Sequence, residues 1–124
     1  MPRKITISAG KVSLPATLND TASALAIIQA LPIEARANRW GEEIYFEIPV
    51  ELKESTDSRA EMQVGELAYW APGSAFCIFF GPTPVSQGTA PRAASPVNPL
   101  GVVDGDATAF KAVRNGEKVR IEAA

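Results

Sequence analysis

The chain has 124 residues, of which 46% are hydrophobic and 21% are charged. This length and composition predict one globular domain over residues 1–124. One cysteine and no histidine exclude an intramolecular disulfide, a nucleophile activated by a histidine base and an imidazole metal site. We therefore expect neither a bound metal nor a cofactor.

Charge and hydropathy argue against nucleic acid and membranes as binding partners. Fourteen acidic and 12 basic residues give a net charge of −2, which lacks the basic excess typical of nucleic-acid binding. No apolar run approaches the ~20 residues of a membrane span, and Met1–Lys4 leads into a strand without an apolar leader. We expect a cytoplasmic protein that binds neither nucleic acid nor membranes, and the oligomeric state is left open.

Strand signals recur along the whole chain. Alternating apolar residues bounded by turn residues predict short strands. In chain order these are Lys4–Ala9, Val12–Leu18, Ile33–Trp40, Glu43–Ile48, Glu66–Trp70, Ala75–Phe80, Leu100–Val103 and Lys118–Glu122. The run at 75–80 is almost entirely apolar, as in a strand that is buried on both faces.

Helix signals occur at two places. Asn19 or Asp20 is predicted to cap a helix that runs to about Leu31 and is ended by the next proline. Asp106 is predicted to cap a short helix at Ala107–Val113. Many short strands with two short helices favour a mainly β fold, a closed antiparallel barrel with helical caps.

The segment Pro82–Pro99 is predicted to be a long surface loop. It contains five of the ten prolines. Proline fixes φ and removes a hydrogen-bond donor, which argues against a helix or a central strand. A loop of this length is often functional, and a plain connection without a role fits the pattern equally well.

Few residues carry recognisable reactive chemistry. Cys77 lies inside an apolar run, which predicts an inert buried thiol. Glu42 and Glu43 are adjacent, so their side chains diverge on a strand, and we interpret them as a surface turn. The acidic segment 42–66 is interpreted as a solvated face or, alternatively, as a contact for a basic partner.

Four aromatic residues with polar groups lie in predicted strands or at their ends: Trp40, Tyr45, Tyr69 and Trp70. Aromatic side chains with one polar end often line ligand pockets. Ordinary packing in the core is the other interpretation of the same residues.

Four segments resemble a known family. They are similar to signatures of a small bacterial and archaeal family with a cyclophilin-like fold and no settled function. In chain order, which is also the order in that family, the segments are Arg39–Pro49, Gly65–Pro84, Asn98–Gly105 and Gly116–Glu122. The resemblance covers nearly the whole chain. It implies a closed eight-stranded barrel with two helices.

The resemblance to true cyclophilins is weakest at the positions of their active-site residues. Ala75 and Cys77 stand where cyclophilins have their pocket glutamine and phenylalanine, and their pocket histidine has no counterpart. Arg36 and Arg39 are the candidates for their catalytic arginine. The barrier to X-Pro rotation is about 18–20 kcal/mol. A site that lacks both the hydrogen-bond donor and the apolar pocket is not expected to lower this barrier much, so the sequence argues against an efficient isomerase.

We therefore predict a module that binds a proline-containing peptide or a small molecule, in a cleft bordered by the 82–99 loop. The predicted ligand-binding residues are Trp40, Tyr45, Tyr69 and Phe79. One alternative is a divergent peptidyl-prolyl cis-trans isomerase, in which Arg36 or Arg39 donates to the proline nitrogen. Another is an interaction or assembly role for the acidic segment or the proline-rich loop.

Overall fold

Strands are the main regular secondary structure of the computed structural model, which describes residues 3–124. Within that range the ten strands are β1 Arg3–Ala9, β2 Val12–Leu18, β3 Ile33–Arg36, β4 Asn38–Arg39, β5 Glu43–Glu47, β6 Arg59–Glu61, β7 Glu66–Trp70, β8 Ala75–Phe79, β9 Arg92–Val103 and β10 Lys118–Ala123. The helix α1 spans Ala22–Ala30, and 3₁₀ helices span Ala71–Gly73 and Ala107–Ala112. The start of the chain at Met1-Pro2, where no leader is expected, lies outside the described residues.

The strands form one antiparallel sheet. Its order is β3-β10-β1-β2-β9-β7-β8-β5-β4, and β6 pairs with β9 beside this path. The mainly β architecture with two longer helical segments is confirmed. The closed eight-stranded barrel is wrong, because the sheet has ten strands and its hydrogen-bonded path ends at β3 and β4. No helix in residues 3–124 is long and apolar enough to span a membrane.

The open ends of the sheet meet at a break in the predicted strand Ile33–Trp40. Ala37 separates β3 from β4. Its N–H donates to the carbonyl of Glu117 at 2.8 Å, and its carbonyl accepts from the N–H of Gly116 at 2.7 Å. Because the turn before β10 takes both backbone groups of Ala37, the predicted strand splits into two short edge strands.

The predicted loop Pro82–Pro99 is wrong in its second half. β9 begins at Arg92 and contains two prolines of that segment. Pro96 is exposed, and Pro99 pairs with Ala68 where the register between β7 and β9 shifts. Proline is tolerated at such irregularities. The remaining loop is the shorter connection that ends before β9.

The cap of α1 and the short strand β6 also differ from the predictions made from the sequence. The cap of α1 is Thr21, whose hydroxyl accepts from the N–H of Ala24 at 3.2 Å. Asn19 instead accepts from the N–H of Thr21 at 3.1 Å, so the cap lies one or two residues later than predicted. β6 was not predicted, because its three residues show no apolar alternation. Asp106 does cap the second helical segment, which is a 3₁₀ helix.

Apolar residues pack on both faces of β8. Phe76 and Ile78 belong to the larger core cluster. Ala75, Cys77 and Phe79 belong to a smaller cluster. Successive side chains on a strand point to opposite faces, so the larger cluster lies on the inner face and the smaller one on the outer face of β5, β7 and β8. The prediction that this strand is buried on both faces is confirmed.

Candidate ligand pocket

A pocket of about 200 Å³ opens beside the smaller, outer cluster. It is lined by eight residues: Trp40, Glu43, Tyr45, Trp70, Cys77, Ala93, Ala94 and Val97. Clefts for drug-sized ligands usually have roughly 300–1,000 Å³. The pocket therefore matches a small molecule or one side chain of a larger ligand.

Strand register brings the lining residues together. Glu43 and Tyr45 are two residues apart on β5, so they face the same side of the sheet. Cys77 of β8 pairs with Tyr45 on one side and with Ala68 of β7 on the other. The thiol therefore lies in the middle of this surface, with β5 on one flank and β7 on the other.

Trp70, at the end of β7, is held in place from two sides. Its indole Nε1–H donates to the hydroxyl of Ser95 on β9 at 2.7 Å. Gly73 lies against the ring, and a Cβ there would be 2.7 Å from the indole, much closer than an ordinary contact. The glycine in the turn after β7 therefore makes room for the tryptophan.

Glu43 is the polar residue that stands out in the pocket. Its side chain is buried, with 5% of the residue exposed. Its Oε1 has no hydrogen-bond partner among the described residues. Burial raises the pKa of Glu43 from 4.5 to about 7, and the neighbouring Cys77 thiol opposes the shift. A buried carboxyl oxygen without a partner is costly, so this pocket holds an acidic group that is only partly satisfied.

The interpretation of Glu42 and Glu43 as a surface turn is correct for Glu42 and wrong for Glu43. Glu42 is in the turn and forms an ion pair with Arg39 at 2.9 Å. Glu43 begins β5 and points to the outer face, which is covered by the smaller cluster rather than by solvent. The apolar run of β8 was the signal in the sequence that this face is partly buried.

Cys77 is buried, as predicted. Burial raises the pKa of its thiol well above the ordinary value, and the charge of Glu43 raises it further. The thiol is therefore protonated at neutral pH and is a poor nucleophile.

A family model described as cyclophilin-like matches residues 3–122. The chain belongs to the cyclophilin-like family. Among solved structures it is similar to a hypothetical protein from Archaeoglobus fulgidus, known from a solution structure, with a TM-score of 0.84 and 36% sequence identity. That match covers 99% of this chain and 95% of the archaeal one. No curated protein matches the chain. The resemblance seen in the four sequence segments is confirmed.

In this cyclophilin-like chain the predicted ligand-binding residues divide between two faces. Trp40 and Tyr45 line the pocket, together with Trp70. Phe79 is fully buried in the smaller cluster and is not part of the lining. Tyr69 lies on the opposite face, in the larger core.

The polar group of Tyr69 serves the backbone. Its hydroxyl donates to the carbonyl of Val50 at 2.6 Å and accepts from the N–H of Leu52 at 3.1 Å. Tyr69 thus anchors the segment after β5 from inside the core. The 82–99 segment does border the pocket, as expected, but through Ala93, Ala94 and Val97 of its second half, which forms β9 and not a loop.

Neither candidate for the catalytic arginine lines this pocket. Arg36 is exposed on β3 and donates to the carbonyl of Gly116 at 3.1 Å. It borders a different surface groove, beside β10.

Arg39 is committed to structural contacts. Its guanidinium donates to the carbonyls of Gly41, Lys111 and Val113 at 2.7, 3.1 and 2.9 Å. It also pairs with Glu42 and lies over the ring of Phe80, 5.1 Å from the centroid. This arginine ties the β4–β5 turn to the 3₁₀ helix at 107–112.

Proposed function

We propose that this cyclophilin-like protein is a binding module that holds a small molecule, or one residue of a proline-containing peptide, in the pocket between Trp40, Tyr45 and Trp70. The observation that carries the proposal is the pocket itself: a concave, mainly apolar site with three aromatic walls and one buried acid. Ligand sites commonly combine apolar walls with a few polar groups.

The walls favour binding because they are already in position. The hydrogen bond from Trp70 to Ser95 fixes the indole before any ligand arrives. Ordering side chains on binding costs roughly 0.5–1.5 kcal/mol for each immobilised side chain. A side chain that is already held in place avoids that cost, so more of the free energy of a small apolar contact remains for binding.

The arginine contacts support binding without efficient isomerisation. An isomerase needs a donor directed at the proline nitrogen inside an apolar pocket. Arg36 lies beside another groove, and the N–H groups of Arg39 already donate to carbonyl groups and to Glu42. A bound proline in this pocket therefore meets no guanidinium donor.

The experiment uses the two tryptophans as reporters. The chain has two tryptophans, and both line the pocket. We would titrate Xaa-Pro peptides and small aromatic molecules while recording the indole N–H signals by NMR, with exchange spectra to detect isomerisation.

Binding at the pocket predicts shifts of one or both indole signals, which weaken in Tyr45→Ala. The control is Leu25→Ala, since Leu25 is half exposed on α1 and lines a different groove. If no probe moves either indole signal while the protein stays folded, the proposal is refuted. Faster cis-trans exchange of a peptide would instead favour the isomerase alternative.

A further inference from the structure

The carboxyl of Glu43 has no cationic neighbour among the residues that line its pocket. The lining set contains no lysine or arginine. The other titratable side chains in that set are Tyr45 on β5 and Cys77 on β8, and neither a phenol nor a thiol can carry a positive charge. When Glu43 is ionised, its charge is therefore not balanced from within the pocket.

Nearby basic residues are engaged with other acids. Arg39 and Lys111 both contact Glu42, at 2.9 and 3.5 Å. Arg92, next to the β9 wall, lies 3.6 Å from Glu61. These basic side chains already have acidic partners, so none of them is assigned to Glu43 as a counter-charge.

The aromatic walls suit a positive charge as well. A cation within about 6 Å of an aromatic ring is attracted by the negative face of the ring, and tryptophan is the most effective partner. Two indoles and one phenol surround the site. A carboxyl beside several aromatic rings is an arrangement that attracts organic cations and disfavours anions.

We propose that the pocket selects an organic cation with N–H donors, of which a protonated primary amine is the simplest, with its charge at Glu43 and its apolar part between Trp40, Tyr45 and Trp70. This inference rests on the proposed function, because it names the ligand class of the same pocket. The volume of about 200 Å³ limits the bound part to a small amine, an amino-terminal residue or a basic side chain.

The test compares three probes of similar size: benzylammonium, benzyl alcohol and benzoate. Each is titrated into the full chain at pH 8, with tryptophan fluorescence and the indole N–H signals as readouts. We expect benzylammonium to bind about tenfold to a hundredfold more tightly than benzyl alcohol, the range typical of a charge-assisted hydrogen bond. Benzoate is expected to bind most weakly.

Two variants assign the preference to one carboxyl. Glu43→Gln is expected to bring benzylammonium down to the affinity of benzyl alcohol. Glu47→Gln is the matched control, because Glu47 is on the same strand and face but is exposed and outside the pocket lining. It is expected to leave both affinities unchanged.

The pH dependence of the unmodified protein gives a second measurement, which does not require the variant to fold. Because burial raises the pKa of Glu43 to about 7, its ionised fraction is expected to rise about tenfold between pH 6 and pH 8. The affinity for benzylammonium is expected to rise by about the same factor, and that for benzyl alcohol to stay level.

The outcomes separate this inference from the proposed function. Equal binding of the amine and the alcohol, with indole shifts for both and no effect of Glu43→Gln, overturns the cation preference and supports the pocket as a binding site. No response of either indole to any of the three probes overturns the cation preference. If the peptides described above are silent as well, the binding function fails with it.

Discussion

Replacing Glu43 by glutamine is expected to change the pH dependence of stability, because Glu43 contributes a loss of stability as pH rises. The folded chain holds the Glu43 proton up to about pH 7, whereas an unperturbed glutamate releases it near 4.5. Between these two values the folded state binds more protons than the unfolded state. The free energy of unfolding therefore falls as pH rises through this window.

The magnitude follows from the distance between the two values. At about 1.4 kcal/mol per pH unit, a rise from 4.5 to about 7 corresponds to about 3 kcal/mol. This contribution is fully present below pH 4.5 and is lost once pH exceeds 7. Domains of this size are stable by about 5–15 kcal/mol, so the loss is large enough to measure.

The assay is urea unfolding at pH 4 and pH 8 for the unmodified protein, Glu43→Gln and the exposed control Glu47→Gln. Comparing each variant with the unmodified protein cancels the contributions of the other carboxyls. We expect the stability of Glu43→Gln relative to the unmodified protein to rise by about 3 kcal/mol from pH 4 to pH 8. The control is expected to change by less than about 0.5 kcal/mol. Parallel pH profiles for the unmodified protein and Glu43→Gln would refute the reasoning.

Three further changes test the assignment of residues to core, scaffold and pocket. Tyr69→Phe removes the partner of the buried Val50 carbonyl and of the partly buried Leu52 N–H, so urea unfolding is expected to show a loss of about 1–3 kcal/mol. The indole response to ligand is expected to be kept, and its loss at unchanged stability would contradict the core assignment. Arg39→Ala is expected to lower the free energy of unfolding by about 1–3 kcal/mol, because its contacts with backbone carbonyls are lost. The exposed Arg36→Ala is expected to lower it by less than about 0.5 kcal/mol in the same urea assay. Gly73→Ala places a methyl group 2.7 Å from the Trp70 ring, so the Trp70 indole signal is expected to move; an unchanged spectrum would show that the ring is not fixed there.

Much of the fold could be predicted because local pattern and packing agree. The alternation in Val12–Leu18 and in Glu66–Trp70 matches the strands that form. The break at Ala37 could not be predicted, because it depends on hydrogen bonds to a turn about 80 residues later in the chain. β9 was missed at Pro96 and Pro99 for a related reason. A proline excludes a regular central strand but not an irregular one, and register shifts are set by the partner strands.

The pocket was predicted less completely than the fold. Aromatic residues with polar groups were a useful signal for Trp40 and Tyr45. The same signal did not distinguish Tyr69, a core residue, from the residues that line the pocket. Which face of β7 packs against the larger core decides this, and the sequence of β7 alone does not show it. Glu43 was missed because an acidic residue beside a glycine turn is usually solvated, and its burial depends on side chains of β8 and β9 that are distant in sequence.

The break at Ala37 also bears on whether other chains can add to the edges of this sheet. Unpaired strand edges are templates on which other chains add, and short or charged edges discourage this. Here the two ends of the main sheet path are strands of four and two residues taken from one stretch of chain. Glu34, Arg36 and Arg39 place charges along them. Such brief, charged edges offer a second copy little backbone with which to extend the sheet.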